Sequence, residues 1–100
     1  MKASVIKTES ILNKAGNKEF TNVYQAGSLH IAAQKIDGDH LFKHINDTAN
    51  EYIVVLSGNF SIWTESGVCE GTSGDIICIP QGLEHGNIKG NDARILILEN

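Results

Sequence analysis

The sequence predicts an all-β domain, a sandwich or a barrel, and two observations lead to that prediction. Short apolar runs are broken by Gly, Asn and Asp about every eight to twelve residues, the spacing of strands and turns in such folds. Helical periodicity is scarce: only Ser4 to Lys14 shows a loosely helical spacing, and a short strand fits that segment almost as well. We therefore expect a fold built almost entirely from strands.

Nine segments of the chain are candidate strands, because each is a short apolar or alternating run bounded by turn residues. They are Thr21 to Gln25, Leu29 to Ile36, His40 to Asn46, Tyr52 to Leu56, Phe60 to Thr64, Val68 to Glu70, Ile76 to Ile79, Gly86 to Lys89 and Ala93 to Glu99. The connections that carry turn chemistry are Asp37-Gly38-Asp39, Ser57-Gly58-Asn59, Glu65-Ser66-Gly67, Gln81-Gly82 and Lys89-Gly90-Asn91-Asp92. Reversals this closely spaced predict antiparallel hairpins.

Three of these strands are apolar on both faces instead of alternating: Tyr52 to Leu56, Ile76 to Ile79 and Ile95 to Leu98. A sheet that met water on one face would alternate, so the second face is expected to be covered. A second copy of the chain, forming a homodimer, is the preferred explanation. The alternative is a helix or N-terminal arm that covers the same face.

Length and charge limit the function classes. The chain of 100 residues is long enough for one domain, so residues 1 to 100 are expected to form a single unit. The net charge of -4, without runs of Lys or Arg, gives no basic stripe for phosphates, so nucleic acid is not expected as a partner. No segment reads as a signal peptide or membrane span, which makes the cytoplasm the expected location and excludes a membrane partner. Cys69 and Cys78 form no disulfide framework, and Cys78 reads as a small buried apolar residue.

Two histidines and one acid stand at predicted strand ends. His44 and Asn46 are two residues apart on a strand and so project from the same face. Glu51 follows a polar reversal and opens the next strand, and His85 comes shortly after Pro80. Imidazole nitrogen and carboxylate oxygen are ligands that borderline divalent metals prefer, and three such ligands leave coordination positions open. We therefore interpret His44, Glu51 and His85 as a candidate metal site.

The spacing of these residues resembles the first cupin motif, G-x5-H-x-H-x(3 or 4)-E-x6-G. Here that motif reads Gly38, five residues, His44, one residue, Asn46, four residues, Glu51, six residues and Gly58. The second cupin motif, G-x5-P-x-G-x2-H-x3-N, is matched by Gly74, Pro80, Gly82, His85 and, in place of Asn, Lys89. The two motifs lie at residues 38 to 58 and 74 to 89, and together they span residues 38 to 89, about half of the chain.

The resemblance implies a single small cupin domain with a jelly-roll barrel, or double-stranded β-helix. It also implies a divalent metal ion such as Fe, Mn, Ni, Zn, Cu or Co at the barrel mouth, held by His44, Glu51 and His85. The chain departs from the pattern at Asn46, which stands where the family has a second histidine. A carboxamide oxygen is a weak, neutral donor for such metals, so Asn46 is predicted to be a weak or substituted ligand and metal affinity to be reduced. The Lys89 departure is expected to affect only a turn.

Four other residues are weaker candidates for the site. His40 lies on the predicted face of His44, but four residues along a strand span about 13 Å, which separates the two unless a bulge intervenes. His30 reads as a half-buried strand residue. Phe42 and Trp63 are candidate cavity-lining residues, although aromatic side chains in a small domain more often pack in the core.

Three functional hypotheses follow. The first is a metal-dependent cupin enzyme that acts on a small polar molecule, with Asn46 hydrogen-bonding the substrate or metal-bound water. The second is a non-catalytic module that binds a sugar-like or other small molecule, with or without metal. The third is a metal-free domain whose role is dimerisation. Fold alone does not select among them.

Overall fold

The computed structural model describes residues 1–100 and contains one short helix and six strands. In chain order the elements are α1 (Thr8–Lys14), β1 (Thr21–Ala26), β2 (Leu29–His44), β3 (Glu51–Thr64), β4 (Gly67–Thr72), β5 (Ile76–Ile79) and β6 (His85–Glu99). All strand pairings are antiparallel, in the order β1-β2-β6-β3-β4, and β5 also pairs with β3. The predicted all-β class is confirmed.

Three strands are long enough to run through both layers of the fold. β2, β3 and β6 have 16, 14 and 15 residues. The β1-proximal part of β2 pairs with the end of β6, and the first residues of β3 pair with β5 and with the same end of β6. In the remaining halves, β6 pairs with β2 on one side and with β3 on the other, and β3 also pairs with β4. The sheet is thereby rolled into two facing layers, as in a jelly roll.

Three of the predicted reversals are bends inside these long strands, which corrects the prediction of nine separate strands. Gly38 and Gly58 have φ values of 93° and 75°, and Asp92 has 46°. Such residues kink a strand and re-aim it without reversing its direction. The turn residues therefore stand where the chain changes direction, but each change carries a strand from one layer to the other.

The strands come very close together at these bends. A Cβ atom on Gly58 would lie 2.2 Å from the backbone oxygen of Asp92, and one on Gly90 would lie 2.3 Å from the backbone oxygen of Ile36. Since real Cβ atoms do not approach backbone that closely, only glycine fits at both positions. The close approach of the strands at these bends therefore requires glycine, which has no side chain.

The core lies between the two layers and consists almost entirely of aliphatic side chains. Its buried members are Ile36, Ile53, Val55, Phe60, Ile62, Ile77, Ile79, Ile88, Ala93 and Ile95, with Phe42, Leu83 and Ile97 packed against them. Burying a side chain of this size contributes about 1.5–3 kcal/mol before entropy is counted. The alternation of these residues with outward ones fixes which side chains face the barrel interior.

The N-terminal segment forms a helix, which is one of the two structures that its sequence predicts. α1 has seven residues, with Glu9 in its first turn and Lys14 in its last, which suits the helix dipole. A helix this short is held by packing: α1 packs against β2, and Leu12 is its one buried residue. The Asn13 Oδ1 atom accepts a hydrogen bond of 2.9 Å from Arg94 Nη1. The helix therefore covers part of the outer face of the roll.

The rest of that outer face carries exposed apolar residues. Ile76 is 60% exposed and Tyr24 is 42% exposed. α1 supports the alternative in which a helix covers the face, but it covers only a part, so the homodimer stays a prediction. No helix of the chain has the length and apolar character needed to span a bilayer.

Both cysteines are free and exposed. Ile77 and Ile79 of β5 face the core, so Cys78 between them projects outward. The prediction that Cys78 is buried is therefore wrong, because the apolar run around it belongs to both faces of the strand.

Candidate metal centre

Three predicted ligands meet at one end of the roll, and each stands at a strand end. His44 is the last residue of β2, Glu51 is the first of β3 and His85 is the first of β6. His44 and His85 are the final residue pair of the β2–β6 ladder, so the strand register itself places the two imidazoles side by side. The ladder thus brings together residues 41 positions apart in the chain.

The donor atoms of these residues are close enough to share one cation. His44 Nε2 lies 3.7 Å from Glu51 Oε1, and His85 Nε2 lies 3.3 Å from Glu51 Oε2. The two rings are perpendicular, with centroids 5.4 Å apart. One donor atom from each residue lies within 4.8 Å of the others. Ligand bonds of about 2.0–2.2 Å to a first-row metal need donor separations near these values.

The orientation of His85 is fixed by a backbone hydrogen bond. Its Nδ1 lies 2.8 Å from the carbonyl oxygen of Leu83. A carbonyl can only accept, so Nδ1 carries the proton and Nε2 is the atom directed at Glu51. This is the arrangement in which a metal-binding histidine donates its other ring N–H to a backbone carbonyl.

Glu51 is buried, with a side chain only 8% exposed. A carboxylate removed from water needs compensation, and both of its oxygens face an imidazole. The sequence left open whether this residue points outward or inward; the structure shows it inward, with the partners that burial requires.

The burial of the triad is uneven. The His85 side chain is 3% exposed, whereas the His44 side chain is 52% exposed. A small molecule reaching this site therefore approaches from the His44 side.

Asn46 does not present its oxygen to the site. Its Oδ1 accepts hydrogen bonds from the backbone amides of Thr48 and Ala49, at 3.1 and 3.0 Å, and from the Thr48 hydroxyl at 3.3 Å. Its Nδ2 donates to Glu51 Oε1 at 3.3 Å. The loop after β2 thus occupies the oxygen that the sequence analysis predicts as a weak ligand.

Trp63 does not line the barrel interior, which corrects its prediction as a cavity-lining residue. Its neighbours Ile62 and Thr64 are buried, so alternation along β3 turns Trp63 to the outer face. There the Lys43 ammonium lies 5.3 Å from its ring centroid. Phe42 does face the interior, where it packs against the core.

The two remaining histidines lie outside the metal centre. A bulge between His40 and Lys43 interrupts the β2–β6 ladder, but His40 stacks near Phe42, with ring centroids 5.2 Å apart, and is not part of the ligand group. His30 Nε2 lies 2.7 Å from Asn22 Oδ1, and its Nδ1 lies 4.0 Å from a Glu99 oxygen. It is the half-buried strand residue that the sequence predicts.

Gly86 is a site residue that the sequence analysis missed. It has φ 153°, and a Cβ there would lie 1.9 Å from the backbone oxygen of Phe42. Its missing side chain lets the residue after His85 touch the bulge that precedes His44. A glycine at the start of a predicted strand, directly after a candidate ligand, was the available signal.

Three surface cavities, of about 410, 380 and 560 Å³, lie elsewhere on the molecule. None of them is lined by His44, Glu51 or His85. Phe42 and Leu83 are partly buried and pack against the core.

Comparison with known proteins identifies the fold. No protein-family model matches the sequence, and no curated protein sequence matches it. Among solved structures, a cupin-2 domain containing protein from Shewanella frigidimarina NCIMB 400 matches with a TM-score of 0.79 at 17% identity, over 95% of this chain and 92% of that chain. The chain has the cupin fold.

Two other cupin-fold structures that match this chain differ from each other, one being a cupin domain and the other an iron(II) form. The Cnp3 cupin domain of Schizosaccharomyces pombe matches with a TM-score of 0.73 at 10% identity, over 88% of this chain and 65% of that chain. The iron(II) form of HppE matches with a TM-score of 0.68 at 13% identity, over 81% of this chain and 48% of that one. At such identities the likeness concerns the fold, so the function must be argued from the site.

The metal that a cupin fold implies is compatible with the residues present. Two imidazole nitrogens and a carboxylate are the composition of the triad that holds non-haem iron with open positions. In this chain one of the imidazoles also has the backbone partner that orients a ligand. The donor set therefore fits a divalent transition metal, with the fourth family ligand replaced.

Proposed function

We propose that this cupin-fold protein binds one divalent transition metal ion through His44, Glu51 and His85, and that the metal centre binds or acts on a small polar molecule. The metals considered are Fe, Mn, Ni, Zn, Cu and Co. When bound, such an ion would supply Lewis-acid or redox chemistry at its open positions.

One observation carries this proposal. His85 Nδ1 is protonated, so in the neutral ring Nε2 presents a lone pair to Glu51 Oε2, another acceptor, at 3.3 Å. Two acceptors this close inside a buried site need either a hydrogen or a metal cation between them. A metal ion meets that requirement and draws in His44, whose Nε2 lies 3.7 Å from the other carboxylate oxygen.

The residues of the chain divide the work of such a site. His85 and Glu51 form its buried wall, and the Leu83 carbonyl keeps the His85 ring in place. His44 forms the open side, where a ligand enters.

The first experiment is metal analysis of protein purified without chelator or nickel column. The apo form is then titrated with Mn, Fe(II), Co, Ni, Cu and Zn, following the melting temperature and the heat of binding. We expect one ion per chain and a rise in melting temperature. Glu51→Gln should abolish both.

His30→Gln is the matched control, because it removes an imidazole that faces a carboxylate elsewhere on the roll. Metal binding unchanged in Glu51→Gln, or lost equally in His30→Gln, would contradict the proposed site. Turnover is then sought with pools of sugars, hydroxy acids and aromatic diols, since only consumption separates an enzyme from a binding module.

A non-catalytic, metal-free module for small-molecule binding or dimerisation is the second candidate function. A proton on His85 Nε2 also supplies the positive charge between the two acceptors, giving a buried imidazolium–carboxylate pair. This interpretation is favoured by Asn46, which stands where the first cupin motif has its second histidine. No heat of binding with any of the six metals, in a folded protein, would select it.

A further inference from the structure

The Asn46 carboxamide can be oriented without ambiguity. Backbone amides of Thr48 and Ala49 can only donate, so the atom that they both reach is the oxygen. The nitrogen is then the atom 3.3 Å from Glu51 Oε1, where a carboxylate accepts its hydrogen bond. The two ends of this side chain therefore have different partners.

The oxygen end has no capacity left for a cation. A carboxamide oxygen has two lone pairs, and three donors from Thr48 and Ala49 already approach this one. Coordination through Oδ1 would break the loop contacts, and an amide N–H₂ group is not a metal ligand. Asn46 thus stays outside the coordination shell.

The backbone of Asn46 adds a third connection. Its carbonyl accepts a hydrogen bond of 2.8 Å from the amide of Gly82, in the segment that leads to His85. Asn46 follows His44 by two residues and contacts Glu51 directly. It therefore touches or adjoins each of the three segments that carry the triad.

From this geometry we infer that Asn46 is a positioning residue, which fixes Glu51 Oε1 through its side-chain nitrogen and sets the triad as a three-ligand site. For metal binding this inference rests on the proposed function. For the metal-free protein it stands alone, because the hydrogen bonds exist without an ion.

A double-mutant cycle in the apo protein tests the contact. In Asn46→Asp the loop keeps its acceptor, but a carboxylate oxygen replaces Nδ2 beside Glu51, so unfolding becomes easier. Combining it with Glu51→Gln reverses the hydrogen bond, since the Gln amide can donate to Asp. We expect the double variant to recover stability, with a coupling of about tenfold in the unfolding constant. Additive effects of the two substitutions would overturn the inference.

Amide hydrogen exchange in the wild-type protein tests whether Asn46 becomes a ligand. On adding Zn²⁺, exchange at Thr48 and Ala49 should stay as slow as in the apo form, because Oδ1 keeps its loop partners. Acceleration at both amides would mean that the oxygen has moved to the metal. This measurement needs no variant and does not depend on activity.

Zn²⁺ affinity separates positioning from loop stability. Asn46→Ala should weaken binding about 10- to 100-fold, as for residues that orient a ligand. Thr48→Val, which removes one loop hydrogen bond and leaves Glu51 untouched, should leave affinity unchanged. Equal losses in both would assign Asn46 a purely structural role. If Zn²⁺ does not bind at all, the proposed function fails, while the apo cycle still decides the role of Asn46.

Discussion

His85 and His44 face the same carboxylate from opposite environments. The His85 side chain is 3% exposed and held by the Leu83 carbonyl, whereas the His44 side chain is 52% exposed and precedes the loop that Asn46 organises. In the proposed metal centre, the buried side combines a structural role with metal binding, and the open side contributes a ligand with little structural role. Variants on the two sides should therefore separate stability from metal affinity.

The largest effect is expected where β6 meets β2 on the buried side. Gly86→Ala places a Cβ 1.9 Å from the Phe42 carbonyl oxygen, so it should destabilise the fold by about 3 kcal/mol through strain and overpacking. Denaturant unfolding measures the change. Gly74→Ala is the control, because that glycine also has positive φ but nothing within 4 Å of the added atom. Similar losses in both variants would show that close approach at Gly86 is unimportant.

Glu51 joins the two sides, and its removal should abolish the metal-dependent part of stability. With free metal at about 100 times Kd, bound metal adds about 2.7 kcal/mol to a one-site protein. Glu51→Gln should lose that increment, so its melting temperature should be the same with and without metal. A metal-induced rise that survives in Glu51→Gln would place the ion elsewhere.

The two histidines should then differ in the apo protein. His85→Ala removes a buried ring and its hydrogen bond to Leu83, which should cost about 1–3 kcal/mol. His44→Ala should change apo stability by less than about 0.5 kcal/mol, as at other exposed positions. Both should lose metal binding by calorimetry. Equal apo stabilities of the two variants would contradict the division between a buried and an open side.

A smaller effect than at His85 is expected at Asn46→His, which restores the family ligand. The imidazole removes the acceptor of the Thr48 and Ala49 amides, so apo stability should fall by about 1 kcal/mol. Metal affinity should rise, because the side chain at this position already reaches Glu51. Lower affinity for every metal tested would show that residue 46 cannot turn towards the ion.

The parts of the site that could be predicted are those with a fixed sequence spacing. Motif spacing identified His44, Glu51 and His85, because strand ends at one edge of a roll converge. Asn46 was placed in the motif, but its loop partners depend on backbone amides whose direction no spacing encodes. Trp63 was misassigned because its facing depends on register, and a shift of one residue exchanges the inner and outer faces.

The strands show a similar division. Gly38 and Gly58 were identified as positions that need unusual backbone, and both have positive φ. Whether such a residue reverses a strand or bends it depends on what lies opposite, here Gly90 and Asp92 from a distant part of the chain. The local sequence determines where the backbone kinks, and pairing with distant residues determines whether the kink becomes a reversal or a bend.

The passage of β2, β3 and β6 through both layers has a consequence for how the protein folds. The same three strands form both layers, so neither layer can unfold while the other stays folded. Unfolding should therefore be all-or-none. Residues 29–44 must also find residues 85–99 across most of the sequence before either layer closes. Pairing between such distant segments is expected to slow folding to the range of milliseconds to seconds. Neither layer can form before β6 is available to pair with β2.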